Sequence, residues 1–146
     1  MALIQGARRR ALLALAFCSG ILMLAAPAVA QDPRTSEAQR VAREWLALSD
    51  AGDAKAAYAA ASAKFKGALT MEQWQQAVAK ARVPYGAVNA RTLISAQPAI
   101  QAPDLPDGVY VMLIYRTNFD ARDASETVTM EREADGVWRL VGYSIR

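Results

Sequence analysis

The run from Val109 to Phe119 places the strongest limit on the fold. Val111, Leu113 and Tyr115 fall on one face of an extended chain and Tyr110, Met112 and Ile114 on the other, so both faces are apolar. Such a strand belongs in the interior of a sheet, covered on both sides. Two more β-type runs follow, Glu126 to Glu131 and Val137 to Ile145. Between them Ala134-Asp135-Gly136 puts Gly where a hairpin turn needs positive φ. Val128 and Met130 alternate with Thr127, Thr129 and Glu131, while Val137, Val141, Tyr143 and Ile145 share one face of the last run. A further strand is predicted over Val88 to Ala96, ahead of a loop rich in Pro98, Pro103, Asp104, Pro106, Asp107 and Gly108.

The chain before Val83 has a different period. Ser36 and Gln39 form a capping-box pattern, and Val41, Trp45 and Leu48 then recur at helical spacing with Ala38, Ala42 and Leu46 beside them, which predicts one amphipathic helix ending near Gly52. Asp53 is placed to cap a second helix, from Ala54 to about Lys66, with Tyr58, Ala61 and Phe65 on one face and Gly67 after it. Thr70 and Gln73 form another capping box, opening a third helix to Arg82 that carries Met71, Trp74, Val78 and Ala81 on one side. Val83-Pro84-Tyr85-Gly86 ends the helical half, since Pro84 disfavours helix at Val83. Helices followed by strands predict an α+β domain, with N-terminal helices packed on a four-stranded antiparallel sheet. Three helices cover one face of such a sheet. The other face calls for curl of the sheet or a second copy of the chain, so a homodimer is an expectation.

Residues 1–30 read as an export leader. Arg8-Arg9-Arg10 precede an apolar run from Ala11 to Ala26, and Pro27 stops it before Ala28-Val29-Ala30, a small-x-small cleavage site. Cleavage between Ala30 and Gln31 leaves a short linker over 31–35, a single domain over 36–146, a periplasmic or secreted location and no membrane span. The competing reading is an uncleaved anchor, disfavoured by the shortness of the run. Cys18 does not fit lipidation, because Phe17 stands before it and Ile21-Leu22-Met23-Leu24 continue the apolar run.

Losing the leader removes three arginines and no acid, so 17 Lys+Arg fall to 14 against 14 Asp+Glu. The whole-chain pI of 9.2 thus belongs largely to the leader, and a nucleic-acid partner is not expected. The chain has no histidine, and its one cysteine is in the leader. Ser-His-Asp and Cys-His catalysis, ordinary zinc sites and haem attachment are therefore excluded; no phosphate loop or dinucleotide fingerprint is present, and no cofactor or metal is expected. Asp104, Asp107, Asp120 and Asp123 lack EF-hand spacing and read as turn formers.

Six residues remain as ligand-binding candidates: Arg82, Arg91, Tyr115, Glu126, Trp138 and Tyr143. Arg82 and Arg91 bracket the helix-to-strand junction and Glu126 opens the hairpin, so an Arg–Glu pair can form a polar site, although a structural salt bridge pinning the junction is the simpler reading. Tyr58, Tyr110, Tyr115, Tyr143, Trp74 and Trp138 can line a cavity, yet most read more simply as core aromatics whose polar tips reach the surface.

The residues from about 36 to 146 resemble an exported bacterial family, domain of unknown function 4019. The resemblance is carried by Trp45-Leu46, Asp50 and Gly52; Tyr58, Ser62 and Phe65; Trp74; Arg82, Gly86 and Arg91; Pro106-Asp107-Gly108 and Tyr110; Tyr115, Thr117 and Phe119; Glu126-Thr127-Val128; and Gly136, Trp138, Arg139, Gly142 and Tyr143. Alanines stand after Tyr58 where a second Trp is expected. The resemblance implies a cystatin-like cone of the nuclear-transport-factor-two superfamily, with helices in the concave face of a curved sheet. It implies no activity, because that superfamily holds cavity enzymes, ligand binders and dimerisation modules alike. The favoured expectation is a non-enzymatic exported binding or interaction module for a small apolar ligand or a periplasmic protein. The alternatives are an isomerase- or hydratase-type enzyme with Tyr115 as donor and Glu126 as base, and a structural envelope protein without ligand.

Overall fold

The computed structural model describes residues 32–146; the leader, its cleavage point and Cys18 lie outside the described residues. Four helices, α1 (Pro33–Asp50), α2 (Ala54–Ala59), α3 (Ala63–Ala68) and α4 (Met71–Arg82), precede four strands, β1 (Val88–Ala99), β2 (Tyr110–Phe119), β3 (Asp123–Arg132) and β4 (Trp138–Ile145). The strands form one antiparallel sheet in the order β1-β2-β3-β4, so β2 is an inner strand as its apolar faces require.

The core lies between the helices and one face of this sheet. Val111, Leu113 and Tyr115 of β2, Val128 and Met130 of β3, and Trp138 and Leu140 of β4 meet Ala38, Ala42, Trp45 and Leu46 of α1, with Ala57, Phe65 and Trp74 from the other helices. Helix α1 touches all four strands, and its alanines let it lie close to them. The Trp45 ring lies tilted against those of Trp74 and Tyr143, with centroids 5.7 and 5.3 Å away, and its indole N–H donates to the Ala57 carbonyl at 2.9 Å. One side chain thus joins α1, α2, α4 and the sheet, with each aromatic pair worth about 0.5–1.5 kcal/mol beyond burial.

Several predicted boundaries move, each for a local reason. Helix α1 starts at Pro33 and not at Ser36, so residues 33–35 of the expected linker are helical. Asp32 accepts from the Arg34 amide as N-cap and Pro33 occupies the first turn, a stronger start than Ser36 offers. The helix predicted over Ala54 to Lys66 breaks in two. Ser62 caps α3 through the Phe65 amide, while its own N–H donates to the Leu140 carbonyl at 2.8 Å. A bridge to β4 there outweighs helix continuity. The Thr70–Gln73 capping box forms as read. Strand β1 runs on to Ala99, with a register shift at Ile94 that leaves this side chain 58% exposed.

The last strand also carries a bulge. Met130 pairs with Leu140 but Thr129 with Gly142, leaving Val141 as the extra residue. Val141 therefore turns away from the helices to pack with Ala102 and Tyr110, and Trp138 and Leu140 take the inner face in place of Val137 and Val141. Tyr143, beyond the bulge and paired with Val128, remains inward. On the outer face, Ala102 and Leu105 of the 100–109 loop cover one end of the sheet, and Met112 and Ile114 are half-buried.

Candidate functional site

Glu126 alternates with Val128 and Met130, so the pleat that builds the core also carries its carboxylate inward, to 0% exposure. A carboxylate taken out of water must be paired and hydrogen-bonded. The sheet meets this need with one residue from each of the other strands. Arg91 of β1 donates its Nε to Oε2 at 2.6 Å and Nη2 to Oε1 at 3.2 Å; the Thr117 hydroxyl of β2 donates to Oε2 and the Tyr143 hydroxyl of β4 to Oε1, both at 2.5 Å. Both oxygens of Glu126 are thereby engaged twice, and nothing of the group faces solvent.

The network continues out of the sheet into the helices. Arg91 donates Nη1 and Nη2 to Asp50, the last residue of α1, at 2.8 and 3.0 Å. Arg82, the last residue of α4, reaches the same carboxylate at 2.5 Å and the Ser49 hydroxyl at 2.6 Å. Two guanidinium groups thus balance two carboxylates in a chain from the fully buried Glu126 to the partly exposed Asp50. Burial pushes the Asp50 carboxyl up, but bonds from Arg91 and Arg82 outweigh it and hold the group below the usual carboxylate range. Burial, followed by the charge of Glu126 and the bond to it, pushes the Tyr143 hydroxyl far above the usual tyrosine range.

At its outer end the network borders a pocket of about 430 Å³ between the end of α1, the start of α2, α4 and the turn into β1. Ser49, Asp50, Arg82 and Gln75 form its polar part, and Val78, Val83 and Val88 contribute to an otherwise apolar wall. Gly86, at φ 81°, makes the turn that closes this side; a Cβ there would stand 3.1 Å from that of Asp120. No group of three or more potential metal-ligating side chains occurs among the described residues.

Of the six sequence candidates, Arg91 and Tyr143 each donate to Glu126, and Arg82 joins them through Asp50. Tyr115 pairs in register with Glu126, but its hydroxyl is buried without a partner among the described residues, and burial pushes it upward in pKa. Trp138 stands apart, buried in the core and lining a second pocket of about 420 Å³ with Asp32, Ile100 and Val109. The tyrosine tips differ from the expectation of surface contact: Tyr143 turns in to Glu126, and Tyr110 donates to the Pro106 carbonyl at 2.7 Å. Sequence reasoning missed Ser49, Asp50 and Thr117 as partners. Thr117 was detectable as the polar residue in phase with Val111, Leu113 and Tyr115, and it is wholly buried.

Compared with known protein families, residues 41–143 match the one described as "Protein of unknown function (DUF4019)", a span that contains every residue of the network. No curated protein and no solved structure matches the chain.

Proposed function

This chain belongs to the family described as Protein of unknown function (DUF4019), and from that premise we propose that it is an exported, non-enzymatic binding module that takes its ligand in the pocket beside Asp50 and Arg82. The observation that carries this reading is the state of Glu126. Its oxygens hold four donors and it is closed to solvent, so it braces the fold and is not free to abstract a proton. The chemistry of an isomerase or hydratase would require that carboxylate to be open to a substrate, whereas it is closed to solvent and saturated, with the Tyr143 hydroxyl spent on it and the Tyr115 hydroxyl making no bond to it. The pocket at the outer end of the network has apolar walls and a few convergent polar groups, the usual make-up of a small-molecule site. Export rests on the leader, whose removal leaves a formally neutral chain that lacks cysteine and has a packed core of its own. No helix among the described residues is long and apolar enough to cross a membrane.

Native mass spectrometry of the chain taken gently from the cell envelope tests both parts. The expected result is a mass beginning at Gln31 with a reproducible small-molecule adduct. A mass that includes residues 1–30 overturns export; a bare chain that binds nothing in the pocket overturns the binding module and favours a structural role. A second copy docked on the outer face is a further reading, favoured by half-buried Met112 and Ile114 and by exposed Ile94. Sedimentation that shows only monomer at high concentration removes it.

A further inference from the structure

The donors of Arg82 indicate which chemistry the pocket selects. A guanidinium carries five N–H donors in a fixed planar fork. In Arg82 one goes to the Ser49 hydroxyl and one to Asp50, so three have no acceptor among the described residues. The side chain is only 13% exposed and its guanidinium carbon lies 5.8 Å from the centre of the Phe119 ring, so little water reaches it except from the pocket that it lines. Asp50, the acid beside it, already accepts three N–H groups from two arginines and has little capacity left for a cation. The pocket thus offers open donors, a neutralised acceptor and apolar walls from Val78, Val83 and Val88. Planar N–H forks match carboxylate and phosphate oxygens, and such charge-assisted bonds gain strength where water is scarce.

We propose, resting on the binding-module reading, that this pocket takes a small amphiphile ending in a carboxylate or other oxyanion, which Arg82 receives while the apolar body lies against Val78, Val83 and Val88. Arg82 is then the residue that decides ligand class. The network behind it holds the guanidinium in place before the ligand arrives, which lowers the ordering cost of binding.

The test uses residues 31–146 and four probes: octanoate, octanamide, octylamine and inorganic phosphate. Binding is followed by backbone amide NMR shifts up to about 10 mM probe, where millimolar affinities are measurable. The expected result is that octanoate moves the amides of Val78, Ala79, Arg82 and Val88 and binds about tenfold or more tightly than octanamide or octylamine. Phosphate alone should move the Arg82 region weakly, since it brings no apolar body. Octanamide binding as tightly as octanoate overturns the oxyanion inference and leaves the pocket reading standing; no response at these amides to any probe overturns both. Arg82→Gln should erase the preference for octanoate over octanamide. Because Arg82 also braces Asp50, Ala79→Glu provides a second variant free of the network: Ala79 is exposed on the pocket wall, and a carboxylate there should weaken octanoate far more than octylamine. If Ala79→Glu leaves octanoate binding unchanged, the oxyanion does not sit in this pocket.

Discussion

Replacing Arg91 by Met tests whether the network braces the fold. Arg91 makes four hydrogen bonds, two to Glu126 and two to Asp50, and it is the only cation bonded to Glu126 among the described residues. Met fills much of the same volume but leaves a carboxylate of zero exposure with two hydroxyl donors and no counter-charge. Breaking a buried pair in this way costs about 3–5 kcal/mol, a large share of the roughly 5–15 kcal/mol that stabilises a typical domain. For a domain of this size the corresponding fall in Tm is roughly 10–20 °C. Glu126→Gln should cost less, about 1–3 kcal/mol, because Arg91 retains Asp50 as a counter-charge although its anchor on the sheet is weakened. The combined Arg91→Met, Glu126→Gln variant removes the stranded charge, so it should be no less stable than Arg91→Met alone. The assay is urea unfolding of residues 31–146 and its three variants, read as a double-mutant cycle. The interaction energy expected lies toward the top of the range of about 0.5–3 kcal/mol seen for contacting residues. Additive costs, or an Arg91→Met loss under about 1 kcal/mol, the ceiling for an exposed pair, would refute the claim that this pair is buried and braces the sheet.

Three other outcomes follow from the same contacts. The Tyr143 hydroxyl is raised from its ordinary value of 10.0, so its contribution to stability is complete below pH 10.0 and is lost as pH rises beyond it; unfolding midpoints followed into alkali should show a fall that Tyr143→Phe reduces. Asp50 is lowered from 3.8, so its contribution is complete above pH 3.8 and is lost as pH falls through the folded value, a limb that Asp50→Asn should flatten in acid titrations. Trp45→Ala should cost about 3–5 kcal/mol in urea unfolding, and Trp45→Phe less, leaving the Ala57 carbonyl without its donor. Gly86→Ala at φ 81° should destabilise by roughly 1–3 kcal/mol; equal stability would show that the turn relaxes around the new Cβ.

Patterns confined to one segment were legible in the sequence, and patterns completed by a distant segment were not. The Thr70–Gln73 capping box and the inner position of the two-faced β2 run depend on their own residues and stand as read, while the outer face of β2 is only half-buried at Met112 and Ile114. The break between α2 and α3 depends on Leu140, whose carbonyl accepts from Ser62 across the fold. Alternation along β4 predicted the wrong inner set because one bulge at Val141 shifts the phase, which no period-two count can anticipate. In the site, Arg91 at the helix-to-strand junction and Glu126 at the opening of the hairpin were visible as the opposite charges of an Arg–Glu pair. Asp50 left a subtler trace. An acid in the last turn of α1, which has no basic residue there, opposes the helix dipole and so calls for cations from elsewhere. Arg82 and Arg91 supply them.

On the proposed binding reading, that placement links stability to recognition. Asp50 ends α1 and Arg82 ends α4, and both are tied through Arg91 to a carboxylate that only the sheet can bury. The two helix ends that border the pocket are therefore fixed by the same bonds that satisfy Glu126, and the pocket needs no ligand to assemble it. A site built this way gains affinity from preorganisation more than from area. On the same reading, Glu126 acts on the ligand without touching it: loosening the carboxylate should loosen the Arg82 fork at the far end of the chain of bonds. Glu126→Gln should accordingly weaken octanoate while leaving octylamine nearly unchanged, and equal weakening of both probes would mean that the variant disturbs the pocket walls and not the donor fork.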